Sequence, residues 1–247
     1  MICFIKLKLI VIMDIQKELR EWADRTAKGY VAIANDLKDK APSFYTQSDL
    51  TKITGKPEVI VLGINPGSDG LYNDQKTSKG WDLNGGDMDG EHLIHGNYFK
   101  ESDRSSWDDR EKWLFWWRLK AYFKDVLPRN PLEKEEKFVL TNMSFFNSKK
   151  ANHLPNKLLI QSIPYSLDLI KLLAPQKIVF LGGGGMLEKL NRVNRTKIFD
   201  INYEMTAPGI YKGQFNGFPF LAVPHPSAYL TSEYRQTVVD NITAFMN

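Results

Sequence analysis

Four short apolar runs constrain this chain more than anything else in it: residues 58–64 (EVIVLGI), 137–141 (KFVLT), 177–181 (KIVFL) and 218–223 (FPFLAV). Each is rich in β-branched or aromatic residues, near-continuous rather than alternating, and bounded by turn formers. A strand with one face in water alternates polar and apolar side chains, whereas a strand covered on both faces does not. The runs therefore predict four strands of a mainly parallel sheet, layered on both sides. Helical spacing fills the intervals. Residues 14–38 put Ile15, Leu19, Trp22, Val31 and Ala34 at helical positions, with Asp14 placed as an N-cap. Residues 108–126 carry Trp113, Trp116, Trp117, Tyr122 and Phe123 and end before Pro128. Pro164 is placed in the first turn of a helix that reaches Leu173 and stops at Pro175, and residues 232–245 close the chain as an amphipathic helix. Strands alternating with helices predict a three-layer α/β/α architecture around a central, mainly parallel, four-stranded sheet.

The 247 residues suit one domain, expected over 14–247. The opening stretch, residues 1–13 (MICFIKLKLIVIM), is interrupted by Lys6 and Lys8 and lacks a small-residue cleavage site. It falls well short of the ~20 apolar residues that span a bilayer. It is read as an N-terminal extension with Met13 as the start of the protein, and no membrane partner is expected. A single cysteine, Cys3, excludes an intrachain disulfide and suits a reducing compartment, the cytoplasm or a nucleus. The formal net charge of +4, with no run of five Lys/Arg, allows a polyanionic partner without demanding one. The one long irregular stretch, 68–107, is rich in Gly, Asp, Asn and Ser; such a loop is functional or conceals short elements.

Ligands of open parallel sheets bind beyond the carboxyl ends of the strands. There the first run delivers Asn65 in a Pro-Gly turn, the second Asn142, the third Gly182 to Gly185, and the fourth His225-Pro226-Ser227. Two carboxamides and an imidazole, with no charged nucleophile, suit a neutral ring bearing both carbonyls and an N–H.

At these residues the chain resembles a known family. Gly63-Ile64-Asn65-Pro66-Gly67 resembles the water-positioning motif of the uracil-DNA glycosylase superfamily, closest to its mismatch-specific and single-strand-selective branches. His225-Pro226-Ser227 resembles the family's second motif, and Leu140-Thr141-Asn142 the strand whose terminal Asn reads the base edge. The resemblance spans residues 58–229 with the motifs in the family's order. It implies a DNA glycosylase that hydrolyses the N-glycosidic bond of uracil or a related damaged base, flipped out of single-stranded or duplex DNA. Asn65 and His225 would be the catalytic residues: Asn65 holds the attacking water, and His225 donates to the pyrimidine O2 as charge develops. Gly63, Ile64, Asn142, Tyr98 and Phe99 would bind the base, Phe99 being preferred to Tyr98 and Trp81 as the stacking aromatic. Gly67 and Ser227 would meet DNA phosphate, and Tyr229 or Leu230 would wedge into the vacated stack. A monomer with no cofactor or metal is expected, since the cysteines of the iron–sulfur branches are missing. An amide at position 65 cannot act as a general base, because it does not titrate in the useful range.

Each residue also has a plainer reading. Asn65-Pro66-Gly67 could be only a strand-ending turn. Asn142 could cap the next segment. The tryptophans near 113–117 fit core packing better than base stacking. His92, His95, Asp87 and Asp89 fit a solvated acidic loop better than a metal site. The glycine run misses both nucleotide fingerprints and reads as a flexible turn near the substrate or an anion site at a helix start. Two other functions compete: a catalytically weak DNA-binding relative, and a hydrolase of free nucleosides or nucleotides.

Overall fold

The computed structural model describes the backbone of residues 2–96 and 107–247, and the side chains from residue 14 onward. In chain order the helices are α1 (Ile2–Leu37), α2 (Tyr72–Thr77), α3 (Gly90–Ile94), α4 (Leu114–Tyr122), α5 (Asn156–Leu173), α6 (Gly183–Val193) and α7 (Ser232–Met246). The strands are β1 (Val59–Gly63), β2 (Phe138–Asn142), β3 (Lys177–Leu181), β4 (Ile201–Ala207), β5 (Ile210–Phe215) and β6 (Phe218–Val223). The four apolar runs form β1, β2, β3 and β6, mutually parallel and adjacent in the order β2-β1-β3-β6.

Among the described residues the sheet nevertheless has six strands and is mixed. The expected four-stranded sheet is corrected by an antiparallel hairpin, β4–β5, which pairs on β6 and places β4 at the edge. Nearly every residue of β4 is exposed, and β5 alternates buried and exposed positions. Neither could show a continuous apolar run. The signal that marks them is Asn216-Gly217, both at positive φ (47° and 82°), the backbone that a two-residue hairpin turn between β5 and β6 requires.

Alternate side chains of the parallel strands enter two cores. Ile60, Leu62, Ile178, Phe180 and Phe220 pack with residues of α1, α5 and α6. Val59, Val61, Val179, Leu181 and Val223 pack on the other face with Trp116 and Leu119 of α4 and Val238 and Ile242 of α7. Burial on both faces explains the near-continuous apolar runs. Phe180 is fully buried at the centre, edge-on to Phe215 (5.2 Å) and Phe220 (5.1 Å). Phe180→Ala should lower unfolding free energy by about 3–5 kcal/mol, read from the midpoint of urea denaturation at unchanged m.

Three helix boundaries differ from expectation. α1 runs back through Asp14, which is therefore not its N-cap; no Pro or Gly interrupts residues 2–13, so nothing stops the helix from propagating. Residues 108–126 are not one helix but a 3₁₀ segment, Trp107–Lys112, and then α4, separated at Trp113 in extended backbone (φ −86°, ψ 123°). Glu111 holds the break: its carboxylate accepts from Trp116 Nε1 at 2.8 Å and its carbonyl from Trp117 Nε1 at 2.6 Å. Pro164 lies inside α5 rather than in its first turn. The carbonyl that Pro164 leaves without an N–H belongs to Ile160, on a solvent-exposed position where water can serve it. The long irregular stretch conceals α2, α3 and a 3₁₀ turn at Lys79–Trp81. Among the described residues no helix is long and apolar enough to cross a membrane.

Candidate functional site

The chain leaves β1 to form β2 on one side of it and β3 on the other, so a topological switch point opens between the carboxyl ends of β1 and β3. A cavity of about 890 Å³ occupies this position. It is lined by Gly63, Ile64, Asn65 and Gly67 after β1, Asn142 at the end of β2, Gly182 and Gly185 after β3, and His225 and Ser227 after β6. The four strand ends thus meet at one cleft.

Asn65 is held by its amide nitrogen, which donates to the Pro66 carbonyl (2.7 Å), the Ser148 carbonyl (3.1 Å) and Ser148 Oγ (2.9 Å). Three acceptors around one NH₂ fix which end of the carboxamide is which. The Oδ1 atom has no partner among the described residues, so Asn65 offers the cavity a positioned acceptor. Ser148, which pins it, lies 83 residues away and is not recognisable from the sequence.

Asn142 is 3% exposed, and its Nδ2 has no hydrogen-bond partner among the described residues. A buried donor left unpaired costs about 1–3 kcal/mol, so such an atom in a cavity wall indicates a site shaped for something other than stability. The capping alternative is not realised: Asn142 is the last residue of β2, its carbonyl accepts from Ser166 Oγ at 3.1 Å, and its side chain caps nothing. Asn142 pairs in register with Gly63, and a Cβ built on Gly63 would lie 2.5 Å from Asn142 Oδ1. Glycine at 63 is what allows the amide to lie across β1 into the cleft.

His225 lies two residues beyond β6. Its Nδ1 accepts from the Ser227 backbone N–H at 3.2 Å, so the neutral ring carries its proton on Nε2. The ring stacks on Phe115 of α4, with centroids 5.3 Å apart and planes at 28°. It remains solvent-accessible within a concave wall, and the protein crowded around it holds its pKa below the usual histidine value by desolvation. His225 is thus a neutral Nε2–H donor near pH 7.

The remaining expected residues are placed as follows. Ile64 is buried, and its carbonyl accepts from Ser144 N–H at 2.8 Å. Gly67 is exposed at the rim, and Ser227 presents its hydroxyl there, its N–H being taken by His225. Tyr229 is 99% exposed, whereas Leu230 packs against the α4/α7 core, so of the two only Tyr229 stands clear of the core. Tyr98 and Phe99 lie outside the described residues. Trp81 is buried behind Tyr45 (5.5 Å) rather than in the cavity.

Among the described residues, the aromatics that line the cleft are Tyr45, Trp113 and Phe115. Core packing holds for Trp116, 1% exposed, and for Trp113, which packs against the same core while also lining the cavity, but not for Trp117, 57% exposed. Asp89 is used as the N-cap of α3, with its carboxylate 2.6 Å from His92 Nδ1, and Asp87 pairs with Lys76 at 2.8 Å. The glycine run is the first turn of α6 rather than a flexible turn. A Cβ at Gly183 would meet the Gly209 carbonyl at 2.6 Å, and one at Gly184 the Tyr211 hydroxyl at 3.0 Å. Those glycines let the β4–β5 hairpin pack on α6.

Lys149, Lys150, Lys189 and Arg192 give one rim of the cavity a positive charge. Lys149 is paired with exposed Asp69 at 2.7 Å and Arg192 with Glu188. Compared with known proteins, the chain matches no family model and no curated sequence.

Proposed function

We propose that this protein is a DNA glycosylase that removes uracil or a related damaged base by hydrolysing its N-glycosidic bond. The observation that carries the reading is the convergence, at one strand-end cleft, of a pinned acceptor (Asn65), an unpartnered buried amide (Asn142) and a neutral imidazole donor (His225). Asn142 offers both a donor and an acceptor to the edge of an extruded pyrimidine. Asn65 Oδ1 orients a water toward C1′. As the C1′–N bond lengthens, electrons pass to the base, and negative charge on its O2 is met by His225 Nε2–H. The water oxygen then bonds to C1′, and its proton ends on the departing base by way of solvent. No residue in the set takes that proton as a strong base, so rate comes from position and leaving-group stabilisation. Tyr229, almost fully exposed two residues beyond the cavity-lining Ser227, favours a stacked polynucleotide over a free nucleoside as substrate.

Uracil, hydroxymethyluracil, hypoxanthine and xanthine, each placed in single-stranded and duplex oligonucleotides, test this by alkaline cleavage of the abasic product. Cleavage above background on at least one substrate is expected from wild type and not from Asn65→Ala or His225→Ala. Wild type indistinguishable from both variants across the panel would sink the reading.

Gly63→Ala is expected to displace the Asn142 amide, because the added methyl would lie 2.5 Å from its oxygen. A shift of about 1 Å at a reacting centre costs ~10²-fold. Single-turnover excision should fall by about that factor, with the thermal midpoint little changed.

A further inference from the structure

A second cavity, of about 380 Å³, lies on the other flank of α6, between that helix and the β4–β5 hairpin. Glu188 and Arg192 line both cavities, so the second adjoins the first across α6. The second cavity is built from Arg192, Arg195, Asn191, Tyr203 and Tyr211. Its volume is at the low end of small-ligand clefts, room for one nucleotide unit and not for a duplex.

Its chemistry is specific. Arg195 is exposed and has no ion pair among the described residues. Arg192 and Glu188 neutralise each other, leaving one net positive charge in the lining. Tyr203 keeps 38% of its surface exposed although it lies edge-on to Tyr211, 5.7 Å between centroids. Its ring is held in place by Asn191 Nδ2, which donates to its hydroxyl at 2.7 Å. A fixed, accessible aromatic face beside an unpaired guanidinium is the combination that binds one unstacked base and its phosphate. The hairpin that supplies Tyr203 and Tyr211 is the part of the sheet added to the four parallel strands, and Gly183 and Gly184 are what permit it to dock.

We propose that this second cavity holds single-stranded DNA flanking the excised base, with a phosphate on Arg195 and a neighbouring base against Tyr203. The inference rests on the reading of the large cavity as a DNA site. Fluorescence anisotropy with a labelled, undamaged 15-nucleotide single strand, which cannot be turned over, measures it directly. Arg195→Ala with Tyr203→Ala should weaken binding about tenfold or more, and Arg195→Ala alone should reduce the log–log salt slope by about 0.7. Tyr203→Phe, which keeps the ring, should retain most of the affinity, and Arg195→Glu should weaken it further than alanine does. Both positions are exposed, and superimposable melting curves verify that the variants fold. Excision at saturating DNA should be unchanged in all of them. Wild-type affinity in the double variant, or no binding of the strand by wild type, overturns the proposal. Binding lost in the variants of a protein that excises nothing would leave this second site standing while the glycosylase reading falls.

Discussion

Under the proposed function, His225→Ala is expected to lower the single-turnover rate of base excision by about 10²–10³-fold, the effect of deleting one preorganised donor from a developing oxyanion. The loss falls on the rate and not on DNA affinity, because the Nε2–H bond strengthens only as the base departs. The ring is accessible yet crowded, and desolvation keeps its pKa below the ordinary histidine value. Wild-type activity should therefore be level through neutral pH and fall in acid, below that value, when Nδ1 is protonated and can no longer accept from Ser227 N–H. In the variant this limb disappears from the pH profile. The same shift has a stability consequence. A histidine whose folded pKa is lowered makes the unfolded chain the better proton acceptor, so stability declines as pH falls below the ordinary histidine range.

Asn142→Leu separates function from folding. Its Nδ2, on a residue 3% exposed and without a partner among the described residues, contributes nothing to stability while costing its desolvation. Replacing it with an apolar side chain of the same branching leaves the melting midpoint unchanged or raised. Excision of a base recognised through this amide should fall by about 10⁴-fold, since a site built for hydrogen bonds discriminates strongly once they cannot form. Differential scanning calorimetry with single-turnover kinetics measures both. A variant that unfolds early and retains activity would show Asn142 to be a structural residue.

The parallel half of the fold was legible because β1, β2, β3 and β6 are buried on both faces and say so in unbroken apolar runs. The hairpin was not, since edge strand β4 is exposed at five of its seven positions and mixes polar with apolar residues; only Asn216-Gly217 marks the turn that returns β5 to β6. At the site, Asn65, Asn142 and His225 could be placed together because each ends a strand on the same side of one sheet. Ser148, Tyr45 and Phe115 could not. They reach the cleft through long-range packing, as when Phe115 of α4 stacks on a histidine 110 positions later. The glycine run had two readings in sequence, a flexible turn or an anion site. Its packing against Gly209 and Tyr211 assigns it a third role that only the hairpin makes visible.

The most direct measurement of the central claim is mass spectrometry of a single-uracil oligonucleotide after one turnover with excess protein. Hydrolysis of the glycosidic bond predicts one free uracil for each abasic strand formed, with Asn65→Ala and His225→Ala leaving the strand largely intact over the same interval. A wild-type strand that keeps its full mass through prolonged incubation, as in the variants, would contradict the account.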